Sequence, residues 1–131
     1  MADYLHEKHF TLEQAQRMLS GIAHLVREIV ILKRKLDARG YDVYKHQYFG
    51  GTGPNGDRVF PHELEQLVKS LQNLTKKGVV VKSLDEGLID FPHIRSNGEE
   101  VYLCWKLNEE RIDFWHSLHE GFAGRKSLFE L

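Results

Sequence analysis

Asp90 stands in the run Gly87-Leu88-Ile89-Asp90-Phe91-Pro92, an acid set among apolar residues, and such a carboxylate must be answered if it is buried. An unpartnered buried carboxylate is costly, so it finds a cation, several backbone donors or a metal ion, or it keeps its proton. The sequence offers three such partners: His116 and His119, three residues apart, and Arg125 between Gly124 and Lys126. On a helix that histidine spacing would place both imidazoles on one face.

Strand register decides which groups meet. Asn97-Gly98 is a hairpin-turn pair, and if it closes a two-residue turn, Asp90 lies opposite Trp105 and shares a face with Leu88, Val101 and Leu103. A pocket of Asp90, Trp105, Trp115, His116 and Arg125 would then bind a small anion or another ligand. The same acid with His116 and His119 would suit a divalent metal, the cofactor this pattern suggests, although His-x-x-His without a third neighbouring ligand is a weak zinc signal. The plain alternative is a buried ion pair that ties a strand to a helix. Cys104, the one cysteine in the chain, rules out an internal disulfide and a multi-cysteine zinc site, and its alternating context reads as an inert, half-buried thiol.

The elements that must position these residues follow from periodicity. Thr11-Leu12-Glu13-Gln14 forms a capping box, with Phe10 placed as a hydrophobic staple. From there Leu12, Ala15, Leu19, Ile22, Val26, Ile29, Lys33 and Leu36 alternate by three and four up to Gly40, which is coiled-coil spacing. A second helix is expected over 61–77, from Pro61 to the residue before Gly78, with Leu64, Leu67, Leu71 and Leu74 in the same rhythm. At 1.5 Å per residue the first helix is about 40 Å long and the second about 24 Å, so one cannot cover the other. Met18, Leu25, Val30, Ile31 and Leu32 widen the apolar stripe, so either the sheet or a second copy of the chain must cover it; a homodimer is expected.

Between the helices, Tyr48-Phe49-Gly50-Gly51-Thr52-Gly53-Pro54-Asn55-Gly56 is too long for a simple connection. Its glycines lack the spacing of a phosphate loop and read as turns, with His46 and Tyr48 as anchors. Lys33-Arg34-Lys35 and Arg39 complement the helix dipole or dock an acidic partner. Strand signals at Val79-Val80-Val81, Leu88 to Phe91 and Val101 to Leu107 give a three-stranded meander, and Asn108 is expected to cap a short helix ending near Glu120. The fold class expected is therefore α+β: a long antiparallel helical hairpin over 11–77, a small three-stranded antiparallel sheet and short C-terminal helix over 79–120, and a tail over 121–131, in one domain.

With 41% hydrophobic and 28% charged residues the chain can bury a core. Its 18 Lys and Arg against 19 Asp and Glu give no basic field for sequence-independent nucleic-acid binding. The charged N-terminus Met1 to Phe10 and the absence of a long apolar run point to a cytoplasmic protein with no membrane partner.

Phe10-Thr11-Leu12-Glu13-Gln14-Ala15, Gly87-Leu88-Ile89-Asp90-Phe91-Pro92, Glu100-Val101-Tyr102-Leu103-Cys104-Trp105, Phe114-Trp115-His116 and Gly121-Phe122-Ala123-Gly124-Arg125 together resemble the blocks of the bacterial domain-of-unknown-function family 2203. The resemblance spans nearly the whole chain and implies a small cytosolic protein with a helical hairpin and a small sheet, without implying an activity. The family's blocks include Asp90, Trp105, His116 and Arg125. Two function classes follow: a homo-oligomeric binding or interaction module with a polar pocket around Asp90, or a metal-dependent hydrolase using Asp90, His116 and His119, with Arg125 stabilising an anionic transition state and bound water as nucleophile. A protein partner could also dock on a sheet face of Ile89, Phe91, Tyr102 and Cys104.

Overall fold

The computed structural model describes residues 3–45, 47–48 and 61–131. The glycine-rich stretch over 49–56, and His46, lie outside the described residues.

Helix α1 runs from Leu12 to Ala38 and α2 from His62 to Lys76. The Thr11–Gln14 capping box forms on both its bonds, and Phe10 is buried beneath it. Every seat of the three-four pattern from Ala15 to Leu36 is buried, Lys33 included, because these positions share the stripe of α1 that faces the core. On α2 the buried set is Leu64, Leu67, Ser70 and Leu74, and Arg39 just beyond α1 reaches Glu63 at 2.7 Å. Gly40 and Gly78 follow the two helices with φ of 76° and 87°, the left-handed exit that glycine permits.

The sheet departs from the expected meander. Among the described residues it has five antiparallel strands in sequential order: β3 (Val80–Ser83), β4 (Leu88–Ile94), β5 (Glu100–Lys106), β6 (Phe114–Ser117) and β7 (Lys126–Ser127), while β1 (Tyr41–Asp42) and β2 (Gln47–Tyr48) make a separate two-stranded ribbon. The expected C-terminal helix does not form. Asn108, read as its cap, instead adopts a φ of 82° and turns the chain sharply, with Glu109 N–H donating to the Lys106 carbonyl and Glu109 Oε1 accepting from Lys106 N–H. Phe-Trp-His is a poor helix former, and as a strand it can bury Trp115 on one face and His116 on the other.

The β4–β5 register is also shifted by one residue. Arg95 N–H bonds the Glu99 carbonyl and Gly98 N–H the Arg95 carbonyl, so three residues rather than two make the loop, with Gly98 at a φ of 89°. Asp90 therefore lies opposite Cys104, and Trp105 opposite Ile89. Because side chains alternate, one step of slip moves a whole strand's set to the other face.

Two unlike faces result. Ile89, Phe91, Val101, Leu103, Trp105 and Trp115 join the helices in one hydrophobic core. Gly87, at a φ of 66°, brings the β3–β4 turn against α1, where a Cβ would lie 3.1 Å from Val30 and 3.2 Å from Val26. Gln16 of α1 brackets the backbone of Ile112 with two hydrogen bonds. The sheet thus covers much of the stripe that α2 leaves open: Val30 and Leu32 are buried within the single chain, Met18 and Leu25 half-buried, and Ile31 exposed. The proposed docking face of Ile89, Phe91, Tyr102 and Cys104 does not exist as one surface, since the first two point into the core and the last two away from it.

Candidate functional site

The face turned away from the helices carries the polar cluster. Asp90 of β4 is opposed by Cys104 of β5, and His116 of β6 is opposed by Tyr102, so three adjacent strands deliver an acid, a thiol and an imidazole to one patch. Ligand atoms of Asp90, Cys104 and His116 all lie within 4.8 Å of one another. His116 Nε2 is 3.1 and 3.0 Å from the two carboxylate oxygens of Asp90, and its Nδ1 is 2.8 Å from the Ser117 carbonyl. Asp90 is 0% exposed and His116 1%.

Electrostatics follows from that burial. Desolvation alone would lower the His116 pKa, but the hydrogen bond and charge of Asp90 outweigh it and hold the imidazole above its ordinary value. The same desolvation pushes the Cys104 thiol up, opposed in part by the charge of Arg125. Burial likewise raises the phenol of Tyr102. In this state the thiol is protonated and no nucleophile.

The N-terminal segment of the described chain closes over one side of the patch. The Glu100 carboxylate accepts from the backbone N–H groups of Leu5 and His6 at 2.7 and 3.0 Å and meets His9 Nε2 at 2.7 Å. His6 Nε2 lies 2.6 Å from the Tyr102 hydroxyl, and the Tyr102 ring packs on that of His116. On the other side the Arg125 guanidinium stacks 3.9 Å from the ring centre of Phe114, the residue opposite Cys104, and donates to Glu109 at 2.7 Å. Its Nε is buried with no partner among the described residues.

Of the residues singled out from sequence, Asp90 and His116 are brought into contact and Arg125 lies at the edge of the same patch. Trp105 and Trp115 are on the opposite face, their indole N–H groups donating to the carbonyls of Glu109 and Ser127. His119 sits exposed in the turn after β6, so the acid with His116 and His119 is not assembled as a ligand set. Cys104 directly opposite Asp90, with Tyr102 and then Glu100 farther along the same face of β5, is a grouping that the two-residue turn does not give; a three-residue reading of the Ser96-Asn97-Gly98 loop places all three there. A cleft of about 360 Å³ that Trp105 lines opens on the helix side, between α1 and the Leu107–Glu110 turn.

Residues 8–128 match the model of a family described as Uncharacterized conserved protein (DUF2203). The chain belongs to the DUF2203 family. No curated protein and no solved structure matches it. The match takes in every residue of the Asp90 patch and most of the segments that close it. None of the described helices in this DUF2203 chain is long and apolar enough to cross a membrane.

The N-terminal cover can be tested by pH. Burial works against the Glu100 charge, but His9 and the Leu5 and His6 amides outweigh it and hold the carboxyl below its ordinary value. The stabilisation is therefore present above that ordinary value and is lost as pH falls through the lower, folded one. The protection factors of the Leu5 and His6 amides, each relative to the intrinsic rate at that pH, should fall at least about tenfold in Glu100→Ala at neutral pH and in wild type on acidification; unchanged protection in the variant would contradict the anchoring.

Proposed function

We propose that this DUF2203 chain is a cytoplasmic, homo-oligomeric binding module, folded as one domain, in which the two helices act as a hairpin that pairs with a second copy. The observation that carries the reading is the outer side of α2. Two adjoining shallow grooves run along it, one of about 520 Å³ around Leu64 and Val68 and one of about 410 Å³ around Leu71 and Thr75, sharing Gln72. Val68 is 37% exposed there, while Glu65 and Lys69 border it with opposite charges. An apolar strip edged by both signs is self-complementary about a two-fold axis, as a symmetric dimer requires. Asp90 and His116, edged by Arg125, are the module's polar centre, with Trp105 and Trp115 backing them from the core side.

A metal-dependent hydrolase built on Asp90, His116, His119 and Arg125 is not favoured, because His119 is exposed and outside the Asp90 cluster, and Asp90 itself is wholly buried. Light scattering after size exclusion at tens of micromolar should give twice the chain mass for wild type. Val68→Glu, which places a charge in the strip, should weaken association at least about tenfold with an unchanged circular dichroism spectrum. A wild-type monomer at that concentration, or a Val68→Glu variant that dimerises as tightly, would remove the self-association from this reading.

A further inference from the structure

The tautomer of His116 is fixed by its surroundings. Nδ1 lies 2.8 Å from the Ser117 carbonyl, which has no proton to give, so the ring proton on that side belongs to Nδ1. Nε2 then aims a lone pair at both oxygens of Asp90, at 3.1 and 3.0 Å. Two acceptors at that distance require something positive between them, and only a proton or a metal ion fits. Metal-binding histidines characteristically donate their second ring N–H to a carbonyl or carboxylate, as His116 does.

We propose that Asp90, Cys104 and His116 form a divalent metal site of the zinc class. One oxygen, one sulfur and one nitrogen make a borderline-to-soft donor set, which suits zinc and its neighbours and disfavours magnesium and calcium. Ligand bonds of about 2.0–2.3 Å put donors about 3.3–3.6 Å apart around a tetrahedral ion. The His116–Asp90 spacings are already close to this, and the three donors, which span at most 4.8 Å, need only a small contraction. The ligands come from the facing strands β4, β5 and β6, so strand pairing holds them in place before any ion arrives.

The exchange balances in charge. Without metal the patch holds the Asp90 carboxylate, protonated His116 and the Cys104 thiol; the ion displaces the Nε2 proton and the thiol proton, and two protons leave for each divalent cation. The buried site carries the same net charge before and after, which low-dielectric surroundings demand. Arg125, whose charge favours the thiolate, is itself balanced by Glu109, while Lys82 over the Tyr102 ring remains the nearby cation that opposes binding. The inference takes up the polar centre named above and is independent of dimerisation, since either could hold without the other.

Cobalt(II) gives a direct test. Protein stripped with chelator and then titrated with cobalt should bind one equivalent, showing a thiolate-to-cobalt charge-transfer band and the intense visible bands of tetrahedral cobalt, both bleached by zinc. Cys104→Ala should lose the charge-transfer band, and His116→Gln should bind at least about tenfold more weakly. Because Cys104 is the only cysteine in 131 residues, the wild-type band assigns the ligand even if a variant fails to fold. Failure of wild type to bind cobalt or zinc, binding without the thiolate band, or undiminished stoichiometry and affinity in Cys104→Ala would overturn the site. Light scattering on the same stripped and loaded samples separates this outcome from that of self-association.

Discussion

Asp90→Ala, with chelator present, is expected to destabilise the fold by about 3–5 kcal/mol, because truncating one member of a buried pair leaves the other without compensation. Asp90 and His116 are both almost wholly removed from solvent, so water cannot take over the lost contact. His116→Ala should cost a similar amount, now leaving the carboxylate alone. The double replacement Asp90→Val with His116→Leu should recover most of the loss, since an apolar pair of comparable volume needs no counter-charge. Urea unfolding of wild type, Asp90→Val, His116→Leu and the double variant closes a double-mutant cycle. Strictly additive losses would show that the pair is not coupled.

The pair also carries a pH signature. Because Asp90 holds His116 above the ordinary histidine value of 6.5, its contribution is complete below that value and fades as pH rises through the raised one. Wild type should therefore lose stability on the alkaline side of neutrality to an extent that the apolar double variant does not. Equal slopes in the two proteins would contradict the assignment.

Phe91→Ala is the second large loss expected, about 3–5 kcal/mol. Phe91 is fully buried on the helix-facing side of β4 and meets Phe10 edge-on, with ring centres 5.4 Å apart and planes at 86°. Removing the ring leaves a cavity between the sheet and the start of α1 and frees the staple that sets the entry of that helix. The urea midpoint should fall with the denaturant slope unchanged. A change below about 1 kcal/mol would mean that the core collapses around the gap.

Much of this was legible in the sequence because it rests on local chemistry. The capping box, the buried seats of α1 and the left-handed glycines after both helices depend on residues within one or two turns of each other. The partnership of Asp90 with His116 was also found, although by an incorrect route. A carboxylate in an apolar strand needs a partner wherever the register places it, and His116 is one of the three that the sequence offers. The rest depended on non-local pairing. One extra loop residue at Arg95–Glu99 exchanged Trp105 for Cys104 beside Asp90, and four residues, Phe114–Ser117, were too few for periodicity to separate strand from helix. The two-residue strand β7 has no periodicity at all; it forms because the Phe114–Trp115 backbone offers it partners.

Lys33 fills a seat otherwise reserved for aliphatic side chains, yet its ammonium reaches Asp37 at 2.7 Å and Asp85, in the β3–β4 turn, at 2.8 Å, with the Tyr44 ring beside it. A greasy helix could slide or roll by a turn over the sheet at little cost, because one leucine replaces another in each notch. With a lysine there, every displaced alignment would strand a cation in oil, so a single charge chooses among packings that the apolar residues alone would leave nearly equal.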